Sequence, residues 1–529
     1  MRLHLRGASI KMNEWRLHTV WIEVSCIFIV FLGGCQYEEA NLDSRSETKV
    51  IKQPHSLSPD IISRIERFCG DCHPLPIPST FPKANWVEEV RQGFDFYIDS
   101  NRTDLVEPIR QDVVRYYQDL APDKVVVPRA DGMQQVPSPV RFQRGPGIGI
   151  TDLSPATAHV VWNASKNVVY FTDMRGSTLS VWTPPPQLPA TTSLGNTKII
   201  ATGVNICRAH SCDWDRDGTQ DFLLGELGSF PVGDHQKGRV SLLLGGPDGN
   251  FETIILADKL GRIVEAKPFD YDDDGDTDVL VAEFGWRKTG AFKLLRNVGG
   301  TLRNPKMQVE TLDQKHGALG VEIADLDGDS RLDFVVAYGQ EFETVEVYLN
   351  RGAGEFEHKV IMRLPDPSYN SSSIQVADLD KDGRLDIVHT CGDTMDALLP
   401  KPYHGLRWIR NLGNGEWENR ELGLLVGALQ STVADFDGDG DLDIAAVGLF
   451  PKAHLDGPGA YDSICWWEQK ENLVFVRHSI ERDYCSHASC TTGDINGDGR
   501  VDLIVGEWLS EDRTAFRVFL NIQSDPNLR

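Results

Sequence analysis

Six copies of an acidic nine-residue pattern, Asp-x-Asp-x-Asp-Gly-x-x-Asp, begin at Asp213, Asp270, Asp325, Asp378, Asp435 and Asp494. Carboxylates crowded into so short a loop repel one another unless a cation sits among them. Oxygen-only donors select a hard ion, and Ca2+ accepts roughly six to eight oxygens in flexible geometry. The candidate ligands are the side chains at positions 1, 3, 5 and 9. They are Asp213, Asp215, Asp217 and Asp221; Asp270, Asp272, Asp274 and Asp278; Asp325, Asp327, Asp329 and Asp333. The later copies offer Asp378, Asp380, Asp382 and Asp386; Asp435, Asp437, Asp439 and Asp443; and Asp494, Asn496, Asp498 and Asp502. A Gly at position 6 permits the positive-φ turn that wraps backbone around an ion. Copy three has Ser330 there, and copy six has the neutral Asn496 at position 3, so both are expected to bind more weakly. An EF-hand is excluded, because it needs a Glu at position 12 and flanking helices. Position 12 here is Leu224, Val281, Val336, His389, Ala446 and Val505.

A second cluster is Cys69-Gly-Asp-Cys72-His73. Cys-x-x-Cys-His is the attachment motif of c-type haem: two thiols on one helical turn take the vinyl groups, and the adjacent His ligates the iron. A thioredoxin-like redox pair is disfavoured, since no strand precedes the motif. Half a zinc site is disfavoured too, since no second Cys pair lies at ordinary zinc-finger spacing.

The elements that must position these residues follow from the period. The six loops start 57, 55, 53, 57 and 59 residues apart, the mark of a repeat architecture. Each is followed by a β run such as Phe222-Leu-Leu, Val279-Leu-Val or Phe334-Val-Val, so the loops join two strands. An aromatic strand and an Asn-x-Gly-type turn come next, as in Val345–Asn350 with Arg351-Gly352, and Leu406–Asn411 with Leu412-Gly413. These units resemble the FG-GAP/VCBS repeats of integrin-like propellers. The resemblance implies four-stranded blades with calcium in the acidic loops, over residues 138–525. Residues 148–200 read as a further unit that has lost its metal, with Asp152 near the period and Ser154, Ala156 and Val160 replacing carboxylates. That makes seven blades. The last unit lacks room for a fourth strand before Arg529, so Pro139–Gln143 is expected to supply it and close the ring.

Upstream, Ser58-Pro59 opens a helix with Ile61, Ile62, Ile65 and Phe68 at helical spacing, running into the Cys motif. Helical segments over 82–98 and 103–120 follow. Residues 57–124 resemble a small all-α cytochrome c. Such a protein supplies a second axial ligand, yet between Pro74 and Val127 there is neither Met nor His. Either His55 or Met133 folds back, or the iron is five-coordinate. The overall expectation is a mainly β chain, a seven-bladed propeller preceded by this domain, with residues 125–137 as linker.

Residues 1–34 carry a basic start, an apolar run from Cys26 to Leu32, and Leu32-Gly33-Gly34-Cys35. This resembles a lipoprotein signal with a lipobox, which implies export, lipidation at Cys35 and a 35–56 tether. The run is too short to span a bilayer. Membrane association is thus expected through the lipid alone, at the periplasm or cell surface, with outer-membrane sorting. The net charge of −25 argues against nucleic acid, and the 23 Asp of the loops nearly account for it.

Alternating strand direction puts all six acidic loops on one end of the ring. The longer connections 225–238, 391–405 and 450–462 fall on the other, with His210, His316, Trp286, Arg287, Met395, His404, His454, His487 and Trp508. The six propeller cysteines are expected in disulfides given export, with Cys207/Cys212, Cys485/Cys490 and Cys391/Cys465 as candidate pairs; a His/Cys metal site is the alternative. Function is expected to be binding of a redox protein or cell-surface ligand on that opposite face, with electron transfer through the haem. The alternatives are a haem-coupled oxidoreductase acting on a carbohydrate or alcohol, and a purely structural surface module. Outside the loops there is no nucleotide fingerprint, nucleophile elbow or acid/base pair, so no catalytic residue is assigned.

Overall fold

The computed structural model describes residues 57–134, 136–151, 153–186, 195–395, 398–450 and 457–523. The leader, Cys35, the tether, His55, Asp152 and His454 lie outside the described residues.

Among the described residues, 28 strands form seven antiparallel four-stranded sheets. The first strand, β1 (Val140–Ile148), is borrowed by the last sheet. Blade 1 contains β2 (His159–Asn163), β3 (Val168–Asp173), β4 (Thr178–Thr183) and β5 (Asn196–Thr202). Blade 2 is β6 (Ile206–Cys212) through β9 (Phe251–Leu260), and blade 3 is β10 (Ile263–Phe269) through β13 (Asn304–Asp313). Blade 4 runs from β14 (Ala318–Ala324) to β17 (Glu355–Arg363), and blade 5 from β18 (Ser371–Ala377) to β21 (Glu416–Leu424). Blade 6 runs from β22 (Ala428–Ala434) to β25 (Val474–Arg482). Blade 7 is β26 (His487–Gly493), β27 (Asp502–Glu507) and β28 (Phe516–Gln523), completed by β1, which pairs antiparallel with β28 from Val140↔Gln523 to Ile148↔Phe516. The N-terminal strand thus supplies the outer edge of the last blade, and closing the ring removes an open sheet edge.

The second strand of every metal-type blade begins at position 9 of its acidic loop and is buried along its whole length, as in Asp333–Tyr338. That strand is flanked on both edges and both faces, so it reads as a continuous apolar run rather than an alternation. Aromatic side chains fill the space between sheets: Phe334 stacks on Tyr348 at 4.7 Å and meets Phe269 of the preceding blade at 5.9 Å.

The metal-free first unit differs from expectation. Its turn between the first two strands is the short stretch 164–167, held by Asn163 Oδ1, which accepts from Ser165 Oγ and Lys166 N. Residues 153–160 are therefore the approach to β2 and its start, not a remnant of an acidic loop. The period misled because the loop itself has been shortened.

Among the described residues, three α-helices precede the ring: α1 (Pro59–Cys69), α2 (Trp86–Asp99) and α3 (Arg110–Leu120). Ile62, Ile65, Trp86, Val90, Phe94, Val113, Tyr116 and Tyr117 form their common core, with Trp86 stacked on Tyr117 at 4.0 Å. The third helix starts seven residues later than its apolar pattern predicts. Pro108 disfavours helix at the residue before it and fixes the start just beyond. Among the described residues, no helix is long and apolar enough to cross a membrane.

The helices pack on the end of the ring opposite the acidic loops. Lys401, between β19 (Asp386–Cys391) and β20 (Gly405–Gly413), is buried and donates through Nζ to the Thr80 carbonyl at 2.8 Å. The backbone N–H of Ile77 donates to Asp366. Lys288 pairs with Asp99 at 3.3 Å, and the Arg287 guanidinium lies 4.6 Å from the Phe96 ring. The 125–137 stretch is also docked: Ala130 and Asp131 donate their N–H groups to Ala460 and Gly459 of blade 6, at 2.8 and 3.0 Å.

Candidate metal loops and the Cys-x-x-Cys-His turn

Each acidic loop folds on its own carboxylates. The position 1 side chain accepts the position 6 N–H, as in Gly218→Asp213 (3.2 Å), Gly275→Asp270 (3.1 Å), Gly440→Asp435 (3.0 Å) and Gly499→Asp494 (2.9 Å). Position 6 has positive φ throughout, and Ser330 complies at +71° while still donating to Asp325 at 2.9 Å. Position 4 also has positive φ, in Arg216, Asp273, Gly328, Lys381, Gly438 and Gly497. The sequence pattern did not expose this second turn, because position 4 is not reserved for glycine in three copies.

The carboxylates at positions 1, 3 and 9 converge. In five loops one oxygen from each lies within 4.8 Å of the others: Asp213/Asp215/Asp221, Asp270/Asp272/Asp278, Asp325/Asp327/Asp333, Asp378/Asp380/Asp386 and Asp435/Asp437/Asp443. In copy six Asn496 takes the middle place and turns to Asp498, donating to Oδ2 at 2.9 Å. The position 5 carboxylates each accept the position 7 N–H, from Thr219→Asp217 (2.7 Å) to Arg500→Asp498 (3.0 Å).

Position 9 does more than face a cation. Asp221 accepts Trp214 N–H on Oδ2 and Gly245 N–H on Oδ1, both at 2.7 Å, and Asp333 does the same with Leu326 and Asn350. All six position 9 residues are buried and clamp the loop to the third strand of their blade in this way. Burial pushes their carboxyls up, to about 6 in Asp386 and Asp502 and about 7 in Asp443.

Position 3 splits its oxygens. Asp215 binds Arg303 through Oδ2 at 2.6 Å, and Asp272 binds Arg296 through Oδ2. The other oxygen of each, Asp215 Oδ1 and Asp272 Oδ1, is buried without a hydrogen-bond partner, as is Asp270 Oδ1. A buried carboxylate oxygen left unpaired is costly. These three oxygens and the all-oxygen donor set fit a hard divalent ion.

The Cys motif forms the end of α1 and the turn beyond it. Only Cys69 is helical; the helix stops at Gly70, whose N–H donates to Glu66 O at 2.9 Å. A Cβ on Gly70 would lie 2.8 Å from that same oxygen, so a residue without a side chain is required. Cys69 is largely buried, which pushes its thiol up to about 11 against a hydrogen bond with Tyr117. Cys72 is exposed and takes a contact from Arg102 Nη1 at 3.0 Å. His73 Nδ1 lies 2.9 Å from the Pro74 carbonyl oxygen, an acceptor only, so this nitrogen carries the proton. In the neutral ring Nε2 is then the acceptor nitrogen, the arrangement in which a metal-binding imidazole is oriented by its other nitrogen.

The expected disulfides are absent. All eight described cysteines are free thiols. Cys207 and Cys212 occupy one extended strand, where five residues span about 16 Å, far beyond disulfide reach. The same strand places Cys212 next to the acidic loop, paired across from Asp221, not at the opposite end. Cys485 is held by Ser463, Cys490 by Gln430 O, and Cys391 by Arg407 and Tyr403 O. The expected cluster on the far end is also dispersed: Arg287 serves the helices, while His210 binds Glu265 and His487 binds Glu481.

The profile described as FG-GAP-like repeat matches residues 270–336, 325–389 and 394–446. No curated protein matches the chain. Among solved structures, BBS1N in complex with ARL6DN, soaked with mercury, is 11% identical, with 74% of this chain and 99% of that chain covered and a TM-score of 0.44. The same complex soaked with lead gives 11%, the same coverage and a TM-score of 0.39. The chain carries FG-GAP-like repeats in a seven-bladed β-propeller.

Proposed function

We propose that this chain is an exported, lipid-anchored electron-transfer protein in which a calcium-stiffened propeller carries a c-type haem. The observation that supports it most is His73. Its Nδ1 is fixed on the Pro74 carbonyl, which in the neutral ring leaves Nε2 as the acceptor, and the adjoining Cys69 and Cys72 are not bridged. Each thiol would add across a vinyl group, its sulfur bonding one carbon and its proton passing to the other. The bound group supplies a reversible one-electron ferric/ferrous couple. His73 would ligate the group, and Phe68, Phe94 and Tyr97, whose rings pack together just before the motif, would exclude water from it.

In the acidic loops the position 1, 3 and 9 carboxylates would hold the ion, with the unpaired oxygens of Asp215, Asp270 and Asp272 among the donors. The redox partner or surface ligand docks on the end of the ring away from calcium. There the helical layer already touches blades 3 and 5, which leaves blades 7, 1 and 2 as its landing place. Cys35, by resemblance to a lipobox, anchors the whole at a membrane surface.

The test is expression in a host with c-type attachment machinery, followed by a pyridine haemochrome assay and metal analysis. One covalent haem and about five calcium ions per chain are expected from the five carboxylate trios. A colourless protein, or haem lost on acid–acetone extraction, overturns the haem assignment; calcium-free protein overturns the metal assignment.

A further inference from the structure

The position 7 side chain lies outside the donor set, yet it divides the six acidic loops. It is Arg in blades 4, 5 and 7 (Arg331, Arg384 and Arg500), Thr219 in blade 2, and Asp in blades 3 and 6 (Asp276 and Asp441). Each arginine folds back on the position 5 carboxylate of its own loop: Arg331 on Asp329, Arg384 on Asp382 and Arg500 on Asp498. Its Nε donates to the carbonyl oxygen of the third-strand Asn, to Asn350 and Asn411 at 2.9 Å and to Asn521 at 2.7 Å. The guanidinium is thereby fixed beside the donor carboxylates as a built-in counter-charge.

Further cations reach some of the same loops. Arg303, just before β13 of blade 3, binds Asp215 of blade 2 at 2.6 Å and lies 3.6 Å from Asp217, and the blade 2 loop also contains Arg216. Arg351 binds Asp327 at 2.6 Å in blade 4, and Arg410 binds Asp380 at 2.5 Å in blade 5. The loops of blades 2, 4 and 5 therefore set four carboxylates against two cations, and that of blade 7 sets three against one. Blade 3 differs: six carboxylates, Asp273 and Asp276 among them, face Arg296 alone. Blade 6 differs likewise: five carboxylates face only Lys381, which reaches across from the blade 5 loop to Asp441 at 2.8 Å.

A divalent ion is repelled by each fixed positive charge near its donors and attracted by each further acid. We propose that the propeller carries two classes of calcium site, tight in blades 3 and 6 and weak in the others, with the position 7 residue setting the class. Blades 3 and 6 are also two of the blades that hold the N-terminal segments at the far end of the ring: Asp99 of α2 pairs with Lys288 of blade 3, and Ala130 and Asp131 bond to blade 6. At low calcium the ions stiffen these two blades first, and the rest of the ring follows as calcium rises.

This inference rests on the calcium reading above, and its test separates the two. Calcium-free full-length protein is titrated with calcium by calorimetry and against a chromophoric chelator. Of the ions expected from the five carboxylate trios, those of blades 3 and 6 should form a first class of two. They should bind on the order of tenfold more tightly than the rest, since a difference of two unit charges around a divalent ion outlasts partial screening by salt. Asp441→Arg should leave one ion in that class, and Arg384→Asp should raise it to three, with the total at saturation unchanged. Asp276→Asn and Asp441→Asn keep the size of the side chain and cover the case in which a charge reversal fails to fold; each should narrow the gap between the classes. A higher salt concentration should narrow it too, as a charge effect requires. Binding of all the ions in one class, a first class that stays at two in both charge-reversal variants, or a gap indifferent to salt overturns the two-class assignment and leaves the calcium reading standing. Protein that binds no calcium removes both.

Discussion

The Asn521 side chain donates through Nδ2 to the carbonyl oxygen of Phe436 at 2.7 Å, crossing from blade 7 to the acidic loop of blade 6. Its own N–H donates to Asp502 Oδ1 at 2.8 Å. Asn411 repeats the pair with Leu326 O (2.8 Å) and Asp386 (2.7 Å), and Gln469 with Leu379 O (3.1 Å) and Asp443 (2.8 Å). A buried position 9 carboxylate thus holds the strand whose amide latches the preceding blade's loop. Asn521→Ala leaves the Phe436 carbonyl unpaired, which costs roughly 1–3 kcal/mol. A lower melting temperature is expected by calorimetry, and an unchanged one refutes the latch.

Calcium should act on the same framework. Carboxylates gathered without a counter-ion raise the energy of the folded ring, so chelation is expected to lower the melting temperature. Copy six separates charge from geometry: its turn is formed like the others, but Asn496 interrupts the trio. Asn496→Asp should add a bound ion in a competition titration against a chelator of known affinity. No gain in stoichiometry or affinity would show that position 3 is not a ligand.

The thiols give a count. Cys207, Cys391, Cys465, Cys485 and Cys490 are buried and Cys212 half-buried, none of them bridged. In the haem-loaded mature chain, with Cys69 and Cys72 consumed, denatured protein should titrate six thiols and native protein nearly none. Four or fewer after denaturation would mean that disulfides form after all.

The ring was legible in the sequence because each blade repeats its own local signals. The six loops, the strands after them and the closing strand near Pro139–Gln143 all appear where the period puts them. What was not legible is non-local. No period announces that Lys401 will meet Thr80, or that Ile77 will meet Asp366, since each pair joins segments some 300 residues apart with unrelated patterns. The cysteines misled for a geometric reason: closeness along a chain is distance when the chain is a strand. Asp at position 5 satisfies a turn as well as offering a carboxylate, so the pattern alone did not separate the two uses.

Glu343 predicts a pH dependence. It is buried, accepts Ser371 N–H and Oγ at 2.9 and 2.7 Å on one oxygen, and has no partner on the other. Burial, aided by Asp366, pushes its carboxyl up to about 8 against the Ser371 bonds. The folded state therefore holds a proton that the unfolded chain releases near the ordinary Glu value of about 4.3. Its stabilisation is complete below that value and is lost as pH rises to about 8. Glu343→Gln, neutral at every pH, should flatten the fall in melting temperature between pH 5 and pH 8. An equal slope in both proteins refutes the assignment.

Lys401 carries the opposite sign, and it reports on docking. Its ammonium is buried between the helices and blade 5, over the Phe81 ring at 3.5 Å and against the Thr80 carbonyl. Burial lowers it to about 8, against the attraction of Asp366 and Glu89. Undocked and solvated, the same amine holds its proton to about 10.4. The undocked state thus binds the proton more tightly, so docking is weakest below about 8 and strengthens as pH rises toward the solvated value. Hydrogen-exchange protection of the Ile77–Phe81 amides, measured against a core strand such as β15, should increase from pH 7.5 to pH 10 after correction for the intrinsic rate. Lys401→Met keeps the apolar stem and removes the titrating group, so its corrected protection should be flat over the same range. Lys401→Ala should lose protection throughout, because it also empties the space the stem fills. A wild-type profile as flat as that of Lys401→Met would mean that this lysine is charged in the docked state and that the helical layer is held by other contacts.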